Sequence, residues 1–427
     1  MEKEAADFDW NDFPEDLERN IFAWLPAEFV YRYRRVCQEW NAILSSKYFL
    51  TSIWAETPIN KQPCLLLCSS SPEIPCLAFD FYKWTWKHCF SLGFLREELG
   101  PRVGAVEVTC RSSAAGLLLV NFKILLQTYV HPDIRVCNPY TGTSIELAPM
   151  SLITTIIDKS IVVDGDGQPE NIFKVVVLAQ AGRAAGCLVE LYDSSEMTWN
   201  IAGRLPPELR FFEVQNFTVK RRMVYCDGAF YILGHLPQEP LGIVGFSMPS
   251  NVTRDAETPV PILLAPFPEE LLNDRLSSPR LVTCGSRLLV VAAMREGIRI
   301  WEFESDHRRA PIGSLPWTWK EIARVPESIW EDFKTIRLEE SRRPPWEDFR
   351  INVLPSMQEC FDCIGVGDHL CLLPWWNCYI GKLEPEVALV YNLRTGSWRW
   401  TPPSPTDGRH PFTPWSHVLH GMAFKPF

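Results

Sequence analysis

One phrase recurs through most of the chain and limits what it can become. An apolar run ends in Asp or Asn, a short turn-forming stretch follows, and a Trp comes next. It reads "LAFDFYKWTW" (Asp80, Trp86), "VELYDSSEMTW" (Asp193, Trp199) and "ALVYNLRTGSW" (Asn392, Trp398). "IRVCNPYTGTS" keeps Asn138 and the turn but has Ser144 where Trp would stand. "GIVGFSMPSN" and "IRIWEFESD" are weaker copies, with Ser247 and Glu302 at the turn position. The marks at 80, 138, 193, 247 and 302 lie 54 to 58 residues apart, and the last gap, to 392, is 90. An apolar strand, an Asx turn and an outer strand begun by a Trp make a hairpin. A second phrase alternates with it, an apolar strand entered through Gly: "SSAAGLLLVNF", "VYCDGAFYILG", "LVTCGSRLLVVAAM" and "CIGVGDHLCLLPW". Four-stranded units repeated radially make a β-propeller, which leaves few edges exposed. The fold expected is therefore mainly β. Six blades are expected; the weak fourth copy and the long gap leave room for seven. The ending "SHVLHGMAFKP" is expected to supply a strand that closes the ring.

The first fifty residues are written differently. "FPEDLERNIFAWLP" places Pro14 in a first helical turn, where its missing N–H costs nothing, with Asp12 or Asn11 available as caps. Leu17, Ile21, Trp24 and Leu25 fall on one face, and Pro26 stops the helix. A second amphipathic run extends through Phe29, Tyr33, Val36, Cys37, Trp40 and Leu44, with Arg32, Arg34, Arg35, Glu39 and Asn41 opposite. Helices this short bury little surface alone, so they must dock on the next domain or on a partner.

The stretch "FPEDLERNIFAWLPAEFVYRYRRVCQEWNAILSSKYF" resembles an F-box. Pro14, Leu17, Ile21, Leu25, Pro26, Val36, Cys37, Trp40 and Phe49 stand at that family's anchor positions, and Phe13 replaces the usual Leu. The longer remainder of the chain, with "VCNPYTG", "VELYDSSEMTW", "YCDGAFYIL", "WKEIARVP" and "VYNLRTGSWRWTPP", is similar to the kelch-type propeller of plant F-box/kelch-repeat proteins. Within that family it reads most like the HAWAIIAN SKIRT type and somewhat less like the UNUSUAL FLORAL ORGANS type. The division expected is an F-box at 8–52 and a propeller at 60–427, with an insertion at 327–358.

The resemblance implies a non-catalytic adaptor. The F-box would bind a Skp-family adaptor and, through it, a cullin. The propeller would hold a protein substrate for ubiquitin transfer by other subunits. Adaptor contact is expected at Phe13, Pro14, Leu17, Ile21, Leu25, Pro26, Val36 and Trp40. Two other functions fit the same text: an F-box interaction protein or transcription co-factor without ubiquitin transfer, and a propeller that binds a small molecule in its central channel. The insertion holds "WEDF" twice, so Trp330, Phe333, Trp346 and Phe349 are candidate substrate anchors. The alternative for them is packing on the side of the propeller.

Composition excludes several classes. A net charge of -10 speaks against nucleic-acid binding, which needs a basic surface. The longest apolar run, Leu288–Met294, is far too short to span a bilayer, and MEKEAADFDW has no apolar core of a signal peptide. The nucleus, the cytoplasm or both are expected. The 14 cysteines sit mostly in apolar stretches and read as buried free thiols. Cys360, Cys363, Cys371 and Cys378 could supply four thiolates to zinc, but they lie in what otherwise reads as two strands and a turn. No phosphate loop, serine elbow or catalytic cluster is present. No cofactor, metal or catalytic residue is expected.

Overall fold

The computed structural model describes residues 14–25, 29–30, 33–46, 48–54, 57, 62–69, 71–98, 106–124, 133–150, 155–163, 172–180, 186–211, 223–247, 260, 262–273, 278–305, 317–332, 361–374, 387–405 and 420–424. Its described strands form six antiparallel sheets, the six blades of a propeller. Blade 1 combines β1 (Cys64–Cys68), β2 (Leu77–Asp80) and β3 (Thr85–His88) with the last strand of the chain, β25 (His420–Phe424). Blade 2 holds β4 (Val106–Ala114), β5 (Leu117–Ile124), β6 (Asp133–Asn138) and β7 (Thr143–Glu146). Blade 3 holds β8 (Thr155–Val163), β9 (Phe173–Gln180), β10 (Cys187–Asp193) and β11 (Thr198–Leu205).

Blade 4 departs from this pattern. Two described pieces, β12 (Arg210–Phe211) and β13 (Val224–Cys226), pair with opposite ends of β14 (Ala229–His235), and residues 212–222 between them lie outside the described residues. β15 (Gly242–Ser247) and β16 (Ile262–Pro266) complete it. Blade 5 is β17 (Ser278–Cys284), β18 (Arg287–Met294), β19 (Gly297–Ser305) and β20 (Trp317–Arg324). Blade 6 is β21 (Phe361–Val366), β22 (His369–Pro374), β23 (Leu389–Asn392) and β24 (Ser397–Trp400).

The chain closes the ring as the sequence led us to expect. Cys64 to Cys68 pair with Phe424 back to His420, so one blade joins the two ends. The inner strands β25, β4, β8, β13, β17 and β21 neighbour one another around the axis. Between β17 and β21 the approach is so close that a Cβ on Gly365 would stand 1.9 Å from the Thr283 carbonyl oxygen. Apolar clusters fill the wedges between blades.

The repeated phrase has a physical meaning. In four blades the Asx ends its strand and its Oδ1 accepts backbone N–H groups of the turn: Tyr82 and Lys83 on Asp80 (both 2.9 Å), Tyr140 (3.0 Å) on Asn138, Ser195 (2.8 Å) on Asp193, and Arg394 (2.9 Å) on Asn392. The Trp then pairs with an aromatic residue across the hairpin: Phe79 with Trp86, Tyr192 with Trp199, Tyr391 with Trp398. Ser247 ends β15, but Glu302 is not a turn residue. It lies inside β19, opposite Leu289 and Lys320, and its carboxylate pairs with Arg287 at 2.5 Å. A charged residue at that spacing mimicked the mark because its neighbours alternate like any strand. Blade 5 places its aromatic pair at Phe303 and Trp319, 5.0 Å between ring centroids.

Candidate functional site

The N-terminal helices are short because local signals stop them. α1 (Glu15–Ala23) begins immediately after Pro14, whose carbonyl accepts the Leu17 and Glu18 N–H groups at 2.9 and 3.1 Å. The second amphipathic run is interrupted at Cys37, whose backbone is extended. Cys37 caps α2 (Gln38–Ser45), its Sγ accepting the Trp40 N–H at 3.4 Å. A π-helical turn, Phe49–Trp54, comes next.

These pieces carry two apolar faces. One is shared with the propeller. Phe22, Val30, Ile43, Leu44, Phe49, Leu50 and Trp54 are buried in the same cluster as Leu66, Phe90, Leu92, Leu95 and Tyr140. The Trp54 ring meets Tyr140 edge-on, 5.2 Å between centroids, and its Nε1–H donates to the Leu25 carbonyl at 2.7 Å. Arg34 Nη1 donates to the Tyr140 carbonyl at 2.5 Å, in the turn between β6 and β7. The helices therefore sit on blades 1 and 2 as part of one core.

The other face is open. Leu17 and Ile21, one helical turn apart, are 49% and 48% exposed. Trp24 is 64% exposed and Val36 59%. Charge surrounds them: Arg19 pairs with Glu15 at 2.5 Å and lies 3.6 Å from Asp16. Apolar side chains this open, rimmed by polar groups, mark an interaction surface.

Of the expected contact residues, Pro14, Leu17, Ile21 and Val36 are thus at the surface. Leu25 and Trp40 are half-buried and turn inward, Trp40 packing edge-on against Phe22 with centroids 4.9 Å apart. Phe13 and Pro26 lie outside the described residues. Trp24 belongs with the open face but was not among the expected contacts, although its helical spacing from Leu17 and Ile21 is the signal that finds it.

The insertion is placed in part. Residues 327–332 form a helix, and Trp330 is buried, 7% exposed, in the cluster between blades 5 and 6. It is packed on the side of the propeller and offers no exposed anchor. Phe333, Trp346 and Phe349 lie outside the described residues. Cys363 and Cys371 point to opposite sides of blade 6, one into the cluster shared with blade 5 and the other into that shared with blade 1. They cannot converge on one metal ion. Cys360 and Cys378 are not among the described residues. No described helix is long and apolar enough to cross a membrane.

Residues 10–52 match the F-box domain family. The chain is similar to F-box only protein 6 of Arabidopsis thaliana, 23% identical over 75% of this chain and 59% of that protein, so it spans less than two thirds of that relative. It is similar to UNUSUAL FLORAL ORGANS of the same plant, 21% identical over 98% of this chain and 85% of that protein. It is also similar to an Arabidopsis thaliana F-box/kelch-repeat protein, 20% identical over 97% of this chain and 88% of that one. These likenesses support the plant F-box family without singling out the HAWAIIAN SKIRT type. Residues 10–52 are thus an F-box, the described strands behind it form a six-bladed propeller, and the chain as a whole is similar to F-box proteins of plants.

Proposed function

We propose that this protein is the substrate-recognition subunit of a Skp–cullin–F-box ubiquitin ligase. The observation that carries the proposal is the split of the helical domain into two apolar faces. One is already used to hold the propeller; the other, with Leu17, Ile21 and Trp24, is open, and Val36 in the turn before α2 is exposed as well. A helix face laid into a partner's groove is read through anchors at this spacing. The F-box match supports a Skp-family adaptor as the class of partner, and a cullin would be reached through it. The propeller would hold a target protein, and catalysis would rest on proximity alone. We place the protein in the nucleus, the cytoplasm or both, and take 8–52 and 60–427 as its functional divisions, with the insertion at 327–358.

Joining the two units through one core suits this role. Ubiquitin transfer by proximity needs substrate and adaptor held at a fixed separation. The Trp54–Tyr140 contact and the Arg34 bond fix the helices on blades 1 and 2.

The test is calorimetric titration of the purified protein with a purified Skp-family adaptor, beside a Leu17→Asp/Ile21→Asp double variant. The two residues are exposed, so the variant keeps its fold, checked by circular dichroism. Binding by the wild type and at least a hundredfold loss in the variant, roughly 3 kcal/mol at a hot-spot pair, is expected. An unaltered affinity would remove this face from the interface.

A further inference from the structure

Five cysteines gather in the wedge between blades 1 and 2, where the helical domain is seated. Cys68, Cys76, Cys110 and Cys137 are buried there in one cluster, and Cys89 packs against it. All five are free thiols. Two of them stand opposite each other. Cys68 ends β1 and Cys76 immediately precedes β2, one step beyond the pair Leu67 and Leu77. Their Sγ atoms lie 3.4 Å apart. Directly opposed residues of an antiparallel pair have Cα atoms about 4.5–5.5 Å apart, inside the range that a disulfide spans. Closing this contact to a bond of about 2 Å asks for side-chain rotation and leaves the ladder in place.

The pair is shut in. Cys68 is 0% exposed and Cys76 1%. The Cys68 thiol is also held protonated, its pKa raised well above the ordinary value by its bonds to Cys110 and Cys76 and by burial. The thiolate is the nucleophile, so a pair kept in this form is inert until water reaches it. What covers it is traceable. The Cys76 N–H donates to the Phe90 carbonyl at 2.7 Å, the Phe90 ring meets Tyr140 edge-on with centroids 5.4 Å apart, and Tyr140 meets Trp54 at 5.2 Å. Trp54 belongs to the helical domain, whose Phe22, Leu44, Phe49 and Leu50 lie in the same cluster. Lifting the helices off this seat takes those side chains away and bares the cluster that holds the two sulfurs.

We infer that Cys68 and Cys76 form a latent disulfide site, guarded by the seated F-box helices and oxidised by a peroxide when they lift. One thiolate attacks a peroxide oxygen, the O–O bond breaks, and that sulfur becomes a sulfenic acid as hydroxide leaves. The second thiol then displaces the sulfenic oxygen and the S–S bond forms. In sum, two thiols lose two electrons and two protons, and hydrogen peroxide becomes two waters. Cys110 stands on the neighbouring blade. Sheets packed face to face are about 10 Å apart, beyond the Cα span of a disulfide, so Cys110 bonds the Cys68 thiol without competing for the bridge. The bridge withdraws the Cys68 sulfur from Cys110, and the wedge that seats the helices must repack. The site does not depend on the adaptor reading.

The test uses the full, reduced chain. It is exposed to hydrogen peroxide, quenched at intervals by alkylation in denaturant, and digested for mass spectrometry. Cleavage after Glu73 parts the two cysteines, and fragment ions distinguish them from Cys64 and Cys89. The readout is a linked peptide pair, lost on reduction. Wild type should form it slowly. Trp54→Ala, which loosens the helices, should form it at least about tenfold faster, since the rate follows the population of the opened state. Should that variant fail to fold, Arg34→Gln, which removes the bond to the Tyr140 carbonyl, must oxidise faster than wild type instead. Gly396→Ala, in blade 6, should leave the rate unchanged. A bridge from Cys68 to Cys110 or Cys89, or no linked pair in any chain, overturns the site. Equal rates in wild type and the helix variants, or an equal acceleration in Gly396→Ala, overturn the guard.

Discussion

Single residues decide how well each turn fits its blade. The hairpin after each Asx needs its fourth following residue in the left-handed region: Trp84 (φ 55°), Gly142 (68°), Met197 (55°) and Gly396 (69°). Glycine adopts this without strain; a side chain costs roughly 1–2 kcal/mol there. Trp84 is held by other means, its Nε1–H donating to the Trp400 carbonyl at 3.2 Å and the Arg399 guanidinium lying 4.2 Å from its ring centroid. Met197 is 65% exposed and has no such packing to lose. Gly396→Ala should therefore destabilise by about 1 kcal/mol, while Met197→Gly should be neutral or stabilising by up to about 1 kcal/mol, both read from denaturant midpoints. Lys159 gives a pH signature at the same scale. Its folded pKa of about 7 lies below the ordinary 10.5, so between these values the unfolded chain binds more protons. Its contribution makes stability rise with pH across that window. Lys159→Met should flatten the slope, measured by denaturation at pH 7, 8.5 and 10.

Elements are held to one another by tryptophan. Trp86 donates its Nε1–H to the Pro402 carbonyl at 2.8 Å, Trp199 to Ala148 at 2.6 Å, and Trp319 to Pro266 at 2.7 Å. Each acceptor lies at the exit of the preceding blade, so the repeated Trp stacks within its own hairpin and ties that hairpin to its neighbour. Trp319→Phe should cost roughly 1–2 kcal/mol, since the Pro266 carbonyl loses its donor and most of the ring packing stays. The helical domain has its own tie. Trp54→Ala should cost about 3–5 kcal/mol, because the buried indole fills the junction with Tyr140 and satisfies the Leu25 carbonyl. Limited proteolysis should then release the first fifty-odd residues before the propeller is cut.

At the scale of the whole molecule, the ring is fastened in one blade. β25 gives blade 1 its inner strand and touches β4 and β21 on either side. Removing residues 420–427 should leave β1 as an open edge and expose both flanking wedges. The truncated protein is expected to lose its single cooperative unfolding transition and to aggregate, checked by calorimetry and size-exclusion chromatography. The helices share a core with blade 1, where the ring closes, and with blade 2 beside it. Closure and adaptor presentation are therefore coupled, and the truncation should weaken adaptor binding although it touches no residue of the open face.

Much of this was legible in the sequence. Asp80, Asn138, Asp193 and Asn392 each write their own turn, because an Asx side chain bonds the backbone two and three residues on and needs nothing distant. The F-box anchors were legible for a similar reason: helix periodicity and proline stops are local. The six blades came from spacing, and the closing strand from an apolar segment left over at the end. What the sequence could not divide was the apolar content of the helices. Leu17 and Phe22 are equally apolar and sit in one short helix, yet the first is half-exposed and the second buried. Packing against residues far along the chain, among them Leu66, Phe90, Leu95 and Tyr140, decides which face is filled. The two-piece inner strand of blade 4, the placement of Trp319 and the burial of Lys159 are likewise products of tertiary structure. Each depends on which strand lies beside which, and burial and electrostatics are properties of that neighbourhood, not of any stretch of chain.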